Sequence, residues 1–546
     1  MRFDLIDDPW IPVIDGDERI RAGIRQALLE SHRFTGLAPD APMQEPAILR
    51  QVLLPVMLAA LGPCRDHDTW ADRFEQPDGF SPAERTKIEN YLDRHRNRFD
   101  LFSATAPFAQ VARLQATSGQ AKSAALLIAK LPSGNNVPLF AATTEADQVE
   151  LTPAEAVCWL LNTLCWDTAA IKTGAVGDDK VKGGKTTGNP TGPLGRLGLT
   201  YPVGSTLYDT LQLNAPIAPI RKGDVPVWER EPATAQWNPR PATGILDLFT
   251  WPSRRVRLIP QQGIDGIGVS QVVVAAGDRM LAVPEFEPHT LWRREAKPKA
   301  GEPTWRPRRH RPGQTAWQGL AALLAVDPGN DEVATSGMLT QLARLRVDEC
   351  IDVAYPLQIR TVAVEYGVQS AVIEDIAIDQ IPLPVAALLT DTQVRYEVLQ
   401  IAEQAGRLAR AVDRLGADLR RACGGQPLPW DSGEHPGDRL LYALNVPVRR
   451  VLAGIQCHAD DAEAIAAGVR AWQQVARAAA LRVGTELLDA APPEAFAGRT
   501  IAPKPRPGKA SVAKTYRSST AEAGFRREIN KTLPLAAPPT KEEEEP

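Results

Sequence analysis

The chain has no C-x-x-C pair. Its six cysteines, Cys64, Cys158, Cys165, Cys350, Cys423 and Cys457, are scattered over 546 residues. That excludes a zinc ribbon and a disulfide framework and predicts free thiols in a reducing, cytoplasmic compartment. No run approaches 18 uncharged apolar residues, so no membrane-spanning helix is expected. The start of the chain lacks the basic-then-apolar pattern of a signal peptide. Excess positive charge is missing too: 62 Lys and Arg stand against 66 Asp and Glu, a formal net charge of -4. A free-standing nucleic-acid binder is more basic, so any such contact has to come from local patches.

Catalytic signatures are also absent. The seven histidines are isolated, with no H-E-x-x-H and no pair on one helical face; His310, among arginines, has no nearby His or Cys to share a metal. No G-x-S-x-G elbow occurs on a strand–helix turn. Gly183-Gly184-Lys185-Thr186 looks like the end of a phosphate-binding loop. However, Asp179 stands where that motif needs its first Gly, and the preceding 178–182 is polar rather than a hydrophobic strand. The expectation is no active site, no metal and no cofactor.

What is present is length, proline and a change of character along the chain. A chain of 546 residues exceeds one compact core, so two or more domains are expected. The apolar share of 44% and charged share of 23% are those of a globular protein. Pro occurs 47 times, against a usual share of about 5%, which favours irregular connections over a compact parallel α/β sheet. The first 30 residues read as short strands, with Asp15-Gly16-Asp17 a hairpin candidate. Residues 46–62 are apolar at helical spacing, with Pro55 expected to kink or split the helix. Residues 153–165 repeat that apolar character. The stretch 171–198 is rich in Gly, Lys, Thr and Pro with almost no core formers, and reads as an extended surface loop. Segments near 244–260 and 270–283 are strand-like.

After Ile381-Pro382-Leu383-Pro384 the pattern becomes helical. Val394, Val398, Ile401, Ala405, Leu408, Val412, Leu415 and Leu419 step by four and three, a heptad seam with Thr390 and Gln393 as its capping box. A second seam runs through Ile465, Val469, Trp472, Ala476, Ala479 and Val483, with Asp460 and Glu463 as its cap. Arg439 to Ile455 forms a helix that Pro447 must bend or interrupt, and 520–531 forms a fourth. Facing apolar stripes on four helices predict an antiparallel bundle. The fold class is therefore α+β. A large irregular mixed α/β domain at 1–380 precedes a four-helix bundle at 381–533, and an acidic tail at 534–546 is expected to be disordered.

Two basic regions invite a nucleic acid. Arg254, Arg255 and Arg257 cluster, followed by Arg293, Arg294, Lys297, Lys299, Arg306, Arg308, Arg309 and Arg311, with Trp292, Trp305 and Trp317 interleaved. Such sets hold phosphates and stack bases; a solvated Arg-rich loop anchored by Trp is the competing reading. In 171–198, Lys172, Lys180, Lys182, Lys185 and Arg196 lie among eight glycines, where Gly lets a backbone approach closely and Lys supplies charge; a flexible surface loop is the alternative. Lastly, Gly367-Val368-Gln369-Ser370-Ala371 puts an uncharged Gln on a sharp turn ahead of an apolar run, where it can reach base edges or wedge into a duplex.

The opening Phe3-Asp4-Leu5-Ile6-Asp7-Asp8-Pro9-Trp10-Ile11-Pro12-Val13, the glycine-rich loop, the Gln turn and the helical C-terminal third together resemble the CasA family. These are the large subunits of type I-E CRISPR surveillance complexes. The likeness extends from Phe3 to about Pro534 and lies in the order and spacing of several elements. It implies a non-catalytic subunit that reads the protospacer-adjacent motif (PAM) on double-stranded DNA through the minor groove. It also implies a duplex wedge that admits the guide RNA, contacts to other subunits of the complex, and a dock for the helicase–nuclease. By resemblance the wedge is Gln369, flanked by Val368 and Ser370; Val368 replaces an Asn of another member. The glycine loop is 171–177, with Lys172, Thr173, Gly174, Ala175 and Gly177 near DNA, and Lys185 as a further DNA contact. Guide RNA is expected at Lys130, Asn135 and Asn136. The family's motif-reading lysine has no match, the aligned strand at 279–283 offering only Arg279, and a Cys-rich insertion of some members near 260–275 is missing. A scaffold subunit with only non-specific nucleic-acid contacts is the alternative.

Overall fold

In the computed structural model, the described residues are 1–129, 131, 149–264, 266–284, 287–298, 301, 303–311, 313–326, 332–390, 392–429, 433, 435–502 and 513–537. The guide-RNA expectations at Lys130, Asn135 and Asn136 lie outside them, as does the tail beyond 537. The chain divides into two units: Met1–Ala316, Ala322–Ile351 and Leu357–Gln380 form one, and Trp317–Ala321, Asp352–Pro356 and the chain from Ile381 form the other.

The first unit is built on its opening apolar residues. Leu5, Ile6, Trp10, Ile11 and Val13 are fully buried, and the Trp10 indole N–H donates to the Leu5 carbonyl at 2.9 Å, because a buried donor needs a partner. The strands Ile11–Asp15 and Glu18–Ala22 then pair antiparallel across the expected turn, where Gly16 takes φ 60°. Residues 44–61 stay helical throughout, so Pro55 does not split the run into separate helices. Instead a wide π turn, Leu49–Leu53, immediately precedes the helix Leu54–Leu61. Proline crowds the carbonyl four residues back, and the π turn opens the spacing there.

Next to it lies the helix Pro153–Trp166. Thr152 and Glu155 form its capping box, Pro153 occupies the first position where no N–H is needed, and burial surrounds it on nearly every side. The strands Arg254–Gly263 and Gly266–Ala276 make the longest hairpin. The strand-like reading of 244–260 is corrected at its start, where Ile245–Phe249 is helical. Leu199–Val203, Gln358–Tyr366 and Ile373–Pro382 form a separate three-stranded sheet. Trp292–Arg294 joins Trp305–Pro307 and Val333–Ala334 in another.

In the second unit the long helices are Gln393–Ala422, Pro436–Cys457, Ala462–Asp489 and Ser518–Thr532. All eight residues of the first seam are buried. The cap is Thr392, which accepts from the Arg395 N–H, rather than Thr390; Asp461 caps the third helix in place of Asp460. The second seam steps from Ala476 to buried Ala480, not Ala479. Pro447 sits inside an uninterrupted helix. Gly484 is required by packing, since a Cβ there would overlap the Phe525 ring. Residues Pro534–Ala536, expected to be disordered, form a 3-10 turn, and the Leu535 N–H donates to Gln473 at 2.8 Å. Helices with several small sheets in one unit, and chiefly helices in the other, are the expected α+β class.

Within the bundle the buried Trp472 indole N–H donates to Gln404 Oε1 at 2.8 Å. Gln404→Ala leaves that donor without a partner and is expected to cost about 1–3 kcal/mol. Urea denaturation of the full chain checks this; an unchanged midpoint would contradict it.

Candidate nucleic-acid interface

The Gln turn is the tip of the hairpin made by Gln358–Tyr366 and Ile373–Pro382. The sequence suggests that Gly367 makes the sharp bend. The structure puts it elsewhere: Gly367 has an ordinary φ of -69°, whereas Gln369 (φ 56°) and Ser370 (φ 53°) are left-handed. Glycine is needed at 367 for space, since a Cβ would strike the Glu374 and Val372 side chains. Left-handed backbone costs an L residue about 1–2 kcal/mol, so two in succession need support. The Gly367 N–H donates to the Val372 carbonyl at 3.0 Å, the Ser370 N–H to the Gly367 carbonyl at 2.8 Å, and the Ala169 N–H to the Ser370 carbonyl at 2.8 Å. The tip is therefore fastened, and its side chains are not: Val368 is 84% exposed and Gln369 is exposed.

The bond from Ala169 ties the tip to the glycine-rich stretch, which is more structured than an extended surface loop. Lys172–Thr173 pairs with Ala275 in parallel and with Lys185–Thr186 antiparallel. Ala175, Leu194 and Leu197 are buried, supplying the core formers that the composition hid. Gly183-Gly184 is a two-residue hairpin turn with φ 56° and 73°. Lys182 and Lys185 exchange backbone hydrogen bonds across it. Such a pair of positive φ values makes a tight hairpin, which is incompatible with a phosphate-binding loop leading into a helix.

One buried ionic cluster holds this stretch. Lys172 Nζ lies 2.7 Å from Asp167 Oδ2, and Arg254 donates to the same oxygen. Arg254 also donates to the Thr168 carbonyl at 2.8 Å and the Pro190 carbonyl at 2.7 Å, gathering both ends of the loop on one guanidinium. Burial draws the Lys172 ammonium below its usual value, with Asp167 opposing and Arg254 reinforcing the fall. Burial pushes the Asp167 carboxyl up, but the two cations more than offset this and hold it below its usual range. The Tyr366 hydroxyl donates to the Trp166 carbonyl at 2.7 Å. Gly195 must be glycine because that hydroxyl occupies the space of a Cβ.

The far side of the loop is pinned by Trp237. Its N–H donates to Asp178 Oδ2 at 3.1 Å, and the Arg279 guanidinium covers the ring at 4.0 Å while donating to the Thr187 carbonyl at 2.7 Å.

These contacts sort the expected residues. Gln369, Val368, Ser370, Gly177 and Lys185 belong to the tip and the outer loop, all exposed except half-buried Ser370. Thr173 is half-buried, whereas Lys172, Gly174 and Ala175 are buried. Lys172 presents no free ammonium, and a Cβ at Gly174 would press on Val181 and the Gly184 backbone. Arg254 and Arg255 are 2% and 6% exposed, so they brace loops rather than form a surface patch. Trp317 is fully buried in the second unit, donating to Asn445 at 3.1 Å, and offers no stacking face. The sequence reading missed Asp167, Tyr366 and Trp237: Tyr366 and Trp237 meet partners 200 and 59 residues away, and Asp167 joins Lys172, five residues on, to Arg254, 87 residues on.

Among the described residues no group of three or more His, Cys, Asp and Glu could hold a metal, and no helix is long and apolar enough to cross a membrane. The tip offers instead an uncharged amide with one donor and one acceptor end. Such a group suits the minor groove, whose edges present A N3, T O2 and the G amino group.

A family model described as CRISPR-associated protein Cse1 matches residues 4–483. CRISPR-associated protein CasA/Cse1 of Thermus thermophilus is 34% identical over 306 residues, 54% of this chain and 56% of that protein. The aligned part thus spans little more than half of that relative. The crystal structure of Thermobifida fusca Cse1 superposes with a TM-score of 0.83 at 31% identity, covering 98% of this chain and 99% of that one. A chain of a CRISPR RNA-guided surveillance complex shares the fold with a TM-score of 0.63 at 19% identity, over 97% of this chain and 99% of that one.

Asp167→Ala strands two buried cations, Lys172 and Arg254, and is expected to cost about 3–5 kcal/mol. Lys172→Met, which keeps the Arg254 pair, is expected to cost clearly less. Denaturant unfolding of both variants measures the order, and equal losses would show that the carboxylate does not organise the loop.

Proposed function

Because the chain belongs to the CRISPR-associated Cse1 family, we propose that it is the non-catalytic large subunit of a type I-E RNA-guided surveillance complex. In this reading it recognises the PAM on double-stranded DNA and wedges the duplex open for the guide RNA. Its partners are the target duplex, the guide RNA, the other subunits of the complex and the helicase–nuclease that the complex recruits. The observation that carries the reading is the exposed, left-handed Gln369, held on a tip fastened to the glycine-rich loop.

The physical argument has three steps. Minor-groove edges distinguish mainly A·T from G·C, which suits a short and tolerant motif. Prying a base step apart costs a few kcal/mol, so a wedge has to be braced. The bonds from Gly367, Ala169 and Ser370 supply that bracing, and the uncharged amide enters the stack without carrying a charge out of water. Strand exchange with the guide is then nearly balanced, so modest protein contacts decide its direction.

Contacts to DNA are assigned to Gln369, Val368 and Ser370 on the tip and to Thr173, Gly177 and Lys185 on the loop. Lys172, Gly174 and Ala175 act by shaping that loop. Arg279 stands in the strand where relatives place a motif-reading lysine, but it is engaged with Trp237 and Thr187. Motif preference in this chain therefore rests on the tip and the loop backbone. Guide contacts at Lys130, Asn135 and Asn136 complete the proposal.

Gln369→Ala is expected to slow R-loop formation on supercoiled target DNA by about tenfold or more, the scale of a lost few-kcal/mol wedge, with the melting temperature unchanged. Equal rates for both forms would favour a scaffold subunit with only non-specific nucleic-acid contacts. Lys185→Gln is expected to weaken binding to a motif duplex and flatten the log K against log salt slope by about 0.9, the value for one phosphate contact. An unaltered slope would remove Lys185 from the interface.

A further inference from the structure

The basic stretch at 293–311 has no part in the wedge reading, yet the fold gathers it beside the tip. Trp292–Arg294 pairs antiparallel with Trp305–Pro307, with Arg293 opposite Arg306. The Arg308 N–H extends the pairing to the Leu291 carbonyl at 2.7 Å. Arg293, Arg308, Arg309 and Arg311 thereby line one open groove of about 710 Å³, together with Tyr366 and Ser370 of the hairpin. Arg293, Arg309 and Arg311 are exposed, and Arg308 is half-buried. Their charges are largely unspent. Arg306 is matched by Glu295 at 3.1 Å, and Arg309 gives one N–H to the Gly195 carbonyl at 3.1 Å. Among the described residues, nothing pairs with the guanidiniums of Arg293, Arg308 and Arg311. Burial draws Arg308 below its usual value, and Arg311 adds to the fall, as a like charge does when no anion stands between. Glu365 is the one carboxylate on the lining.

We propose that this groove holds the sugar–phosphate backbone of the displaced strand, the one that the guide RNA does not pair with, just beyond the PAM. The proposal rests on the wedge reading above. Guanidiniums match phosphate oxygens in charge and in fork geometry. The groove offers little to bases: its one phenol, Tyr366, is tied through its hydroxyl to the Trp166 carbonyl at 2.7 Å. A backbone is therefore held without its sequence being read, which is what a strand of arbitrary sequence requires. Ser370 puts the groove at the tip, where the two strands part. The guide takes up one strand, and the other leaves with its phosphates and no partner. Strand exchange is close to balance, so four positive charges opposed by Glu365 alone retard the return of that strand and favour opening.

The test uses the assembled complex containing the full chain and two forms of one target. The first is an intact duplex. In the second the displaced strand ends at the PAM boundary, which removes the groove's ligand and keeps the flanking duplex. Arg293→Gln combined with Arg311→Gln, both at exposed positions, is expected to slow R-loop formation on the intact target about five- to tenfold, the scale of two exposed ion pairs. It should also flatten the log K against log salt slope by about 1.4, the value for two single-strand phosphate contacts. On the truncated target, guide pairing by wild type and variant should be indistinguishable. Arg293→Lys with Arg311→Lys, which keeps both charges, should restore the salt slope. An equal defect on both targets would assign these arginines to the flanking duplex or to folding, and equal rates on the intact target would make them a solvated face. Either result overturns the proposal, as does a slope that the lysines leave flat. Failure here is separable from failure of the wedge. Opening of the intact target that depends on Gln369 but not on these arginines rejects the groove alone, whereas opening independent of Gln369 rejects the wedge.

Discussion

The candidate interface depends on one carboxylate. Asp167 ends the helix Pro153–Trp166 and holds two buried cations, Lys172 and Arg254. Without it, neither cation could stay buried, because an unpaired charge in such a site is far costlier than a paired one. With it, Arg254 is free to bind the carbonyls of Thr168 and Pro190, and a stretch rich in glycine is closed into a defined shape. The same segment carries Ala169, whose N–H reaches the Ser370 carbonyl. The ionic cluster therefore sets the position of the Gln369 tip, although none of its members is presented to solvent there.

That arrangement separates two tasks that a sequence reading merges. Lysines and arginines in a glycine-rich stretch suggest phosphate contacts. Here Lys172, Arg254 and Arg255 spend their charge inside the protein, and Arg279 spends its own on Trp237 and a loop carbonyl. What remains outward in the glycine-rich stretch is sparse, Lys182 and Lys185 around a two-residue turn, beside an uncharged tip; the exposed Arg293, Arg294, Lys297, Arg309 and Arg311 lie outside that stretch. This fits a chain of net charge -4. Weak electrostatic attraction lets a subunit dwell only where shape and hydrogen bonding also match. Strain is placed at the same point, since Gln369 and Ser370 are both left-handed, and fixed strain of this kind gathers where a side chain must be held in one direction.

Much of the architecture could be read without coordinates. The apolar seam from Val394 to Leu419 is a repeating local pattern, and a helix that follows it has one way to face its neighbours. The hairpin at Gly16 and the apolar helix near 153–165 are equally local. Caps moved by one or two residues, from Thr390 to Thr392 and from Asp460 to Asp461, because several neighbouring side chains can accept the same amide and packing selects among them. Pro55 does not split its helix for a different reason: a π turn just before it absorbs the clash.

What the sequence by itself determined was the set of periodic elements and the α+β class, because periodicity and turn chemistry act over a few residues. Which charges those segments display was decided only by the tertiary structure. Whether Lys172 meets DNA or Asp167, whether Arg254 lies on a surface or under a loop, and whether Trp317 stacks a base or fills a core depend on partners 5, 87 and 128 residues away. Burial and pairing are properties of the assembled fold: a side chain's charge is available to a ligand only after the chain has chosen which of its own groups to neutralise.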